Sequence, residues 1–187
     1  MLSSASHDSL AARLGLTTNV SPLRMKARRL RVTHVSDTAA TLEEWLVDVA
    51  NARGFRAVFR EPGPDASFVP PSREELGDEE LVACLCLPSN ADQPHILRPA
   101  AQMISRGGLD TDVLLRLAQL ERLSPIFAAL AESALEIDPR HDLWRRLQQA
   151  CAPAAACLRE RPLHKTRLAE PVMAPGKPNA QAWKLIA

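Results

Sequence analysis

With 187 residues, 46% of them apolar, and a formal net charge of +1, the chain is long enough for one buried core. Its balance carries no global field that would draw it to nucleic acid, anionic membrane or acidic substrate. The apolar share is mostly Leu and Ala, with no Tyr, four Phe and three Trp, which favours helices over sheets.

No run approaches the ~20 apolar residues of a membrane span. The opening MLSSASHDSL lacks the basic and apolar regions of a secretory signal. A cytoplasmic chain with reduced thiols and no membrane partner is therefore expected. Charge is nonetheless placed in blocks. Residues 1–60 hold nine basic and five acidic groups, residues 61–80 seven acidic groups against Arg73, and the last 37 residues six basic against two acidic.

Residues 1–28 read as a peripheral arm, with a short helix over Asp8–Leu14 ending at Gly15. Leu30–Val35 alternates apolar and polar residues as a half-buried strand does. Thr41-Leu42-Glu43-Glu44 fits a capping box, and the helix behind it runs to about Arg53 with Leu42, Trp45, Leu46, Val49 and Ala50 inward. Gly54 closes it, and Phe55–Arg60 alternates again. Residues 29–60 are thus expected to form a β-α-β element. Four prolines between Glu61 and Ser72 make residues 61–71 a linker, because proline lacks an amide donor and restricts its predecessor.

From residue 72 to 158 the pattern predicts an antiparallel helical bundle. Its helices are Glu79–Leu87, with a strand over Leu81–Leu87 as the competing reading, Pro94–Arg106 with a kink or later start at Pro99, one capped by Asp110 or Thr111 and running to Leu123, Pro125–Ile137 behind Ser124 as cap, and His141–Ala150 with a continuation past Pro153. Residues 159–187 read as a basic, proline-rich tail with a short strand over Ala182–Ile186. The fold class expected is α+β, predominantly helical. The core is assigned to Trp45, Leu46, Val49, Val58, Leu81, Leu85, Leu97, Ile104, Leu114, Leu117, Ile126, Leu130, Leu143 and Trp144.

Little in the chain is arranged for catalysis. There is no nucleophile elbow, and no glycine-rich loop stands ahead of a helix. Cys84-x-Cys86 lacks the spacing of a zinc knuckle and reads as two small apolar residues, so neither a metal nor a cofactor is expected. His34 and Asp37 are near enough in sequence to make an acid–base pair, the one enzyme reading the chain offers. His141 belongs to a helix start, and His164 to the basic tail. The pairs Glu43-Glu44, Glu74-Glu75 and Glu79-Glu80 all fall at helix starts, where the helix dipole favours acid.

Leu10-Ala11-Ala12-Arg13-Leu14-Gly15-Leu16-Thr17, followed by Val20-Ser21, resembles the helix-turn-helix signature over about a dozen residues. The interval from turn to Val20 is one residue short, and Pro22 stands where the recognition helix should continue. The resemblance implies DNA contact, with Arg24, Lys26, Arg28, Arg29 and Arg31 supplying cations for phosphates. The reading that leads is a non-enzymatic binding or adaptor protein acting on a protein partner through a helical surface. A nucleic-acid-binding regulator using the basic arm is the alternative, and an enzyme built on His34 and Asp37 the third.

Overall fold

The computed structural model describes residues 21–55 and 68–155. Among them are seven α-helices: α1 (Pro22–Thr33), α2 (Leu42–Ala52), α3 (Asp78–Leu85), α4 (Pro94–Arg106), α5 (Thr111–Leu120), α6 (Ser124–Leu135) and α7 (Asp142–Ala155). A 3-10 turn, Pro88–Asn90, links α3 to α4, and no strand occurs among the described residues. The α+β expectation and its β-α-β element are therefore overturned. The described part is a helical bundle.

The first expected strand is helix through Thr33. Leu23 and Ala27 are buried and Leu30 packs against the core, so the apolar period in this stretch is i, i+4, i+7. The alternation in Leu30–Val35 misled because Val32 and Val35, at 77% and 65% exposed, face away from the core. Pro22, which looks like a breaker, is the first helical residue, where its missing amide costs nothing. Of the second expected strand, Phe55 is buried outside any regular element. Residues 56–60 and Val58 lie outside the described residues. So do the Asp8–Leu14 helix, the helix-turn-helix segment up to Val20, Cys157, His164 and the Ala182–Ile186 strand.

The bundle is organised around α3, which packs on α1, α2, α4 and α5. Leu81, Val82, Ala83, Cys84 and Leu85 are all buried, so this short helix is apolar on every side and takes the central place such a helix must have. Arg53, at the end of α2, ties the irregular approach to α3. Its Nη1 donates to Asp78 Oδ1 at 2.8 Å, and its Nη2 donates to the carbonyls of Leu76 at 2.7 Å and Pro71 at 3.2 Å. The α2 capping box forms as expected, with Thr41 Oγ1 accepting from the Glu44 amide and Glu44 Oε2 from the Thr41 amide.

Helix α4 runs through Pro99, and α7 runs through Pro153. The closest pairing in the bundle is α6 with α7. On α7, Trp144 is buried and its Nε1 donates to Ser105 Oγ of α4 at 2.9 Å. The core assignments within the described residues are buried, apart from Leu117, which packs on the core from a half-buried position. Serine 124 opens α6 rather than capping it. Between α5 and α6 the chain reverses through Arg122 at φ 59°, and the Leu123 amide reaches back to Ala118 O at 2.8 Å. That is a Schellman ending with arginine where glycine is preferred.

Candidate functional site

Helix α1 carries all five basic residues singled out in the sequence, and the fold uses them in two ways. Its start is fixed twice. Ser21 Oγ accepts from the Arg24 amide at 2.9 Å, and Glu121 Oε1, from the end of α5, accepts from the buried Leu23 amide at 3.1 Å. A carboxylate at a helix N-terminus meets unpaired amides and the positive end of the dipole together. Nothing local in the sequence signals this cap, because its two residues stand 98 positions apart.

Three of the five cations bind the helix to its scaffold. Arg24 Nη2 meets Glu43 Oε1 at 2.6 Å and its Nη1 donates to Ser89 Oγ at 2.7 Å. Lys26 Nζ holds both Glu80 oxygens at 2.6 and 2.7 Å. Arg31 Nη2 donates to the carbonyls of Ala39 and Ala40 at 3.1 and 2.7 Å, at the approach to α2. Arg28 and Arg29 differ: both are exposed, and no described residue pairs with either. The acidic pairs once assigned to helix dipoles thus have a second use, since Glu43 and Glu80 also receive α1.

The outward side of α1 is not wholly polar. Met25 and Val32 are exposed and stand seven residues apart, so one lies above the other along the axis. Pro22, Met25, Lys26, Arg29 and Leu30 line an open groove of about 450 Å³. At about 100° of rotation per residue, Arg28 and Arg29 fall on opposite shoulders of the Met25–Val32 line.

His34 and Asp37 do not pair. His34 Nδ1 lies 3.1 Å from Val69 O and Nε2 3.4 Å from Glu75 Oε1, while Asp37 is exposed with no described partner. The His34 carbonyl accepts from Trp45 Nε1 at 2.7 Å. The turn that follows is held by the buried Asp48 carboxylate, which accepts from Ser36 Oγ at 2.6 Å and Thr38 Oγ1 at 2.8 Å. Glu75 Oε2 accepts from the Ser72 amide at 2.8 Å. That bond, then the Ser72 side chain and His34, hold the carboxyl below its ordinary value of 4.5. Both ring nitrogens of His34 therefore serve the junction between α1 and the approach to α3.

Cys84 and Cys86 are fully buried, on α3 and at its end, and Cys84 Sγ packs against Leu23 O at 3.9 Å. Burial pushes both thiols well above their ordinary 9.0, for Cys84 with help from the charges of Glu80 and Glu121. Burial of this kind favours the protonated thiol. No cluster of three or more His, Cys, Asp or Glu among the described residues is placed to hold a metal ion. His141 caps α7, with Nδ1 accepting from the Trp144 amide at 3.4 Å, and its Nε2 lies 2.9 Å from Ser105 O.

No described helix is long and apolar enough to cross a membrane. The chain matches no family model, no curated protein and no solved structure.

Proposed function

We propose that this is a non-enzymatic, cytoplasmic adaptor that binds a protein partner through the outward side of α1. The observation that carries the reading is the division of labour on that helix. Arg24, Lys26 and Arg31 are spent on holding α1 in a fixed orientation, while Met25 and Val32 face outward between two arginines with no described partner. A rigid helix with an exposed apolar line is the form in which helical surfaces meet protein grooves and other helices. Three buried thiols with raised pKa values suit a reducing compartment.

Phosphate binding remains the second reading, supported by Arg28, Arg29 and the helix that follows the helix-turn-helix resemblance at Pro22. It has less to work with. Affinity for nucleic acid grows with the number of cations that reach phosphates, and three of the five expected cations are engaged within the fold.

The test is a photo-crosslinking amino acid at Met25 of the full chain, with the same group at Leu120, exposed on α5, for comparison. The reading expects protease-sensitive adducts from position 25 and none from position 120. Nuclease-sensitive adducts at position 25, or the same adducts from both positions, would overturn it.

A further inference from the structure

Resting on the protein-binding reading of α1, we propose that its occupant is an amphipathic partner helix whose apolar stripe is flanked by carboxylates on both shoulders. The spacing argues for a helix. Met25 and Val32 are separated by two turns, about 10 Å along the axis, the interval at which a second helix laid along α1 presents its own side chains. The groove beside Met25, lined by Pro22, Met25, Lys26, Arg29 and Leu30, runs along α1 on the Arg29 side of that line. Residues i, i+3, i+4, i+7 and i+8 form the ridge-and-groove surface into which a second helix packs.

The shoulders argue for acid. Arg28 and Arg29 sit on either side of the apolar line, exposed and without described partners. A neutral helix laid along Met25 and Val32 would leave both guanidinium groups unpaired at the rim of the contact. A basic one would place like charges together. A helix with glutamates beside its leucines meets both cations at once, with the flexible arginine stems covering its flanks. An anionic lipid surface would also answer the charge. It needs a wide apolar face, however, and α1 has its other sides packed on α2 and α3.

The experiment uses the full-length chain and fluorescein-labelled stapled helical peptides with leucines on the heptad a and d positions. The flanking e and g positions carry Glu, Gln or Lys, and a labelled short duplex DNA and anionic vesicles are run beside them. Fluorescence anisotropy should show the Glu peptide binding about tenfold more tightly than the Gln peptide, and the Lys peptide not at all, the gain expected of two rim pairs. M25S and R28E/R29E should each weaken the Glu peptide about tenfold while leaving the melting temperature unchanged, because all three side chains are exposed.

Equal binding of the Glu and Gln peptides would overturn the acidic partner while leaving the protein-binding reading intact. Binding of duplex DNA that depends on Arg28 and Arg29 but not on Met25, with no peptide bound, would overturn both. Vesicle binding abolished by M25S, with no peptide bound, would do the same. If the crosslinker at Met25 reacts with residues 1–20 of its own chain or with a second copy, the proposal is also wrong, since the groove then already has its occupant.

Discussion

Replacing Glu121 tests the idea that α1 is held from a distance. Glu121 is only 8% exposed, and its Oε1 is the acceptor for the buried Leu23 amide. Glu121→Ala orphans that amide, at about 1–3 kcal/mol, and removes a negative charge from the helix start, at about 0.3–1 kcal/mol. Relief of the carboxylate's own desolvation opposes these terms, so a net loss of about 2 kcal/mol is expected. Glu121→Gln keeps an oxygen acceptor in the same place and loses only the charge, about 1 kcal/mol. For a chain of this size each kcal/mol moves the melting temperature by about 2–4 °C. Glu121→Ala should therefore melt about 4–8 °C lower, and Glu121→Gln about half as far. Urea unfolding followed by tryptophan fluorescence gives the free energies, and hydrogen exchange at Leu23 locates the effect. A stability for Glu121→Ala equal to or above that of the parent, or above that of Glu121→Gln, would refute the reasoning.

Arg122 occupies a left-handed backbone position that costs a side-chain-bearing residue about 1 kcal/mol, so Arg122→Gly should raise stability by about 0.5–1 kcal/mol in the same urea assay. Because the folded thiols of Cys84 and Cys86 titrate far above the unfolded value of 9.0, their stabilisation is complete below about pH 9 and falls away as pH rises beyond it. Cys86→Ala should flatten that alkaline loss, and a C157S chain should give no fast thiol reaction with DTNB at pH 8 until urea is added. The Glu75 carboxyl is held below 4.5, so its contribution is present above pH 4.5 and lost as pH falls through the lowered value. The protection factor for hydrogen exchange of the Ser72 amide, which donates to Glu75, should fall on acidification once the intrinsic rate is corrected for pH, and Glu75→Gln should lower it at neutral pH as well.

The helices from α2 to α7 were legible within a few residues because their signals are local. Thr41 and Glu44 mark a start, Gly107 marks a stop at φ 76°, and leucines repeat at helical spacing between them. Helix α1 was not legible. Its inward residues are Leu23, Ala27 and Leu30, only two of them large, and the exposed valines beside them imitate a strand. The competition was decided by burial against α2 and α3 and by ion pairs to Glu43 and Glu80, none of which a local window contains. The same reason hid the site. Five basic residues are equivalent in sequence, and only Glu43, Glu80 and the carbonyls of Ala39 and Ala40 distinguish the three that anchor the helix from the two that remain outward. Arg53 and Glu121 carry no local signal because their partners, Asp78 with the carbonyls of Pro71 and Leu76 for the one and the Leu23 amide for the other, lie far away in sequence.

The tethers of α1 also set a schedule. Its partners arrive in order along the chain, Ala39 and Ala40 first, then Glu43, Glu80 and finally Glu121. During synthesis the outward face of Met25 and Val32 is made early, but the scaffold that fixes its direction is finished only after α5 has emerged. The proposed partner would therefore meet the presented helix only after most of the bundle exists, so the outward residues appear well before the fold that orients them is complete.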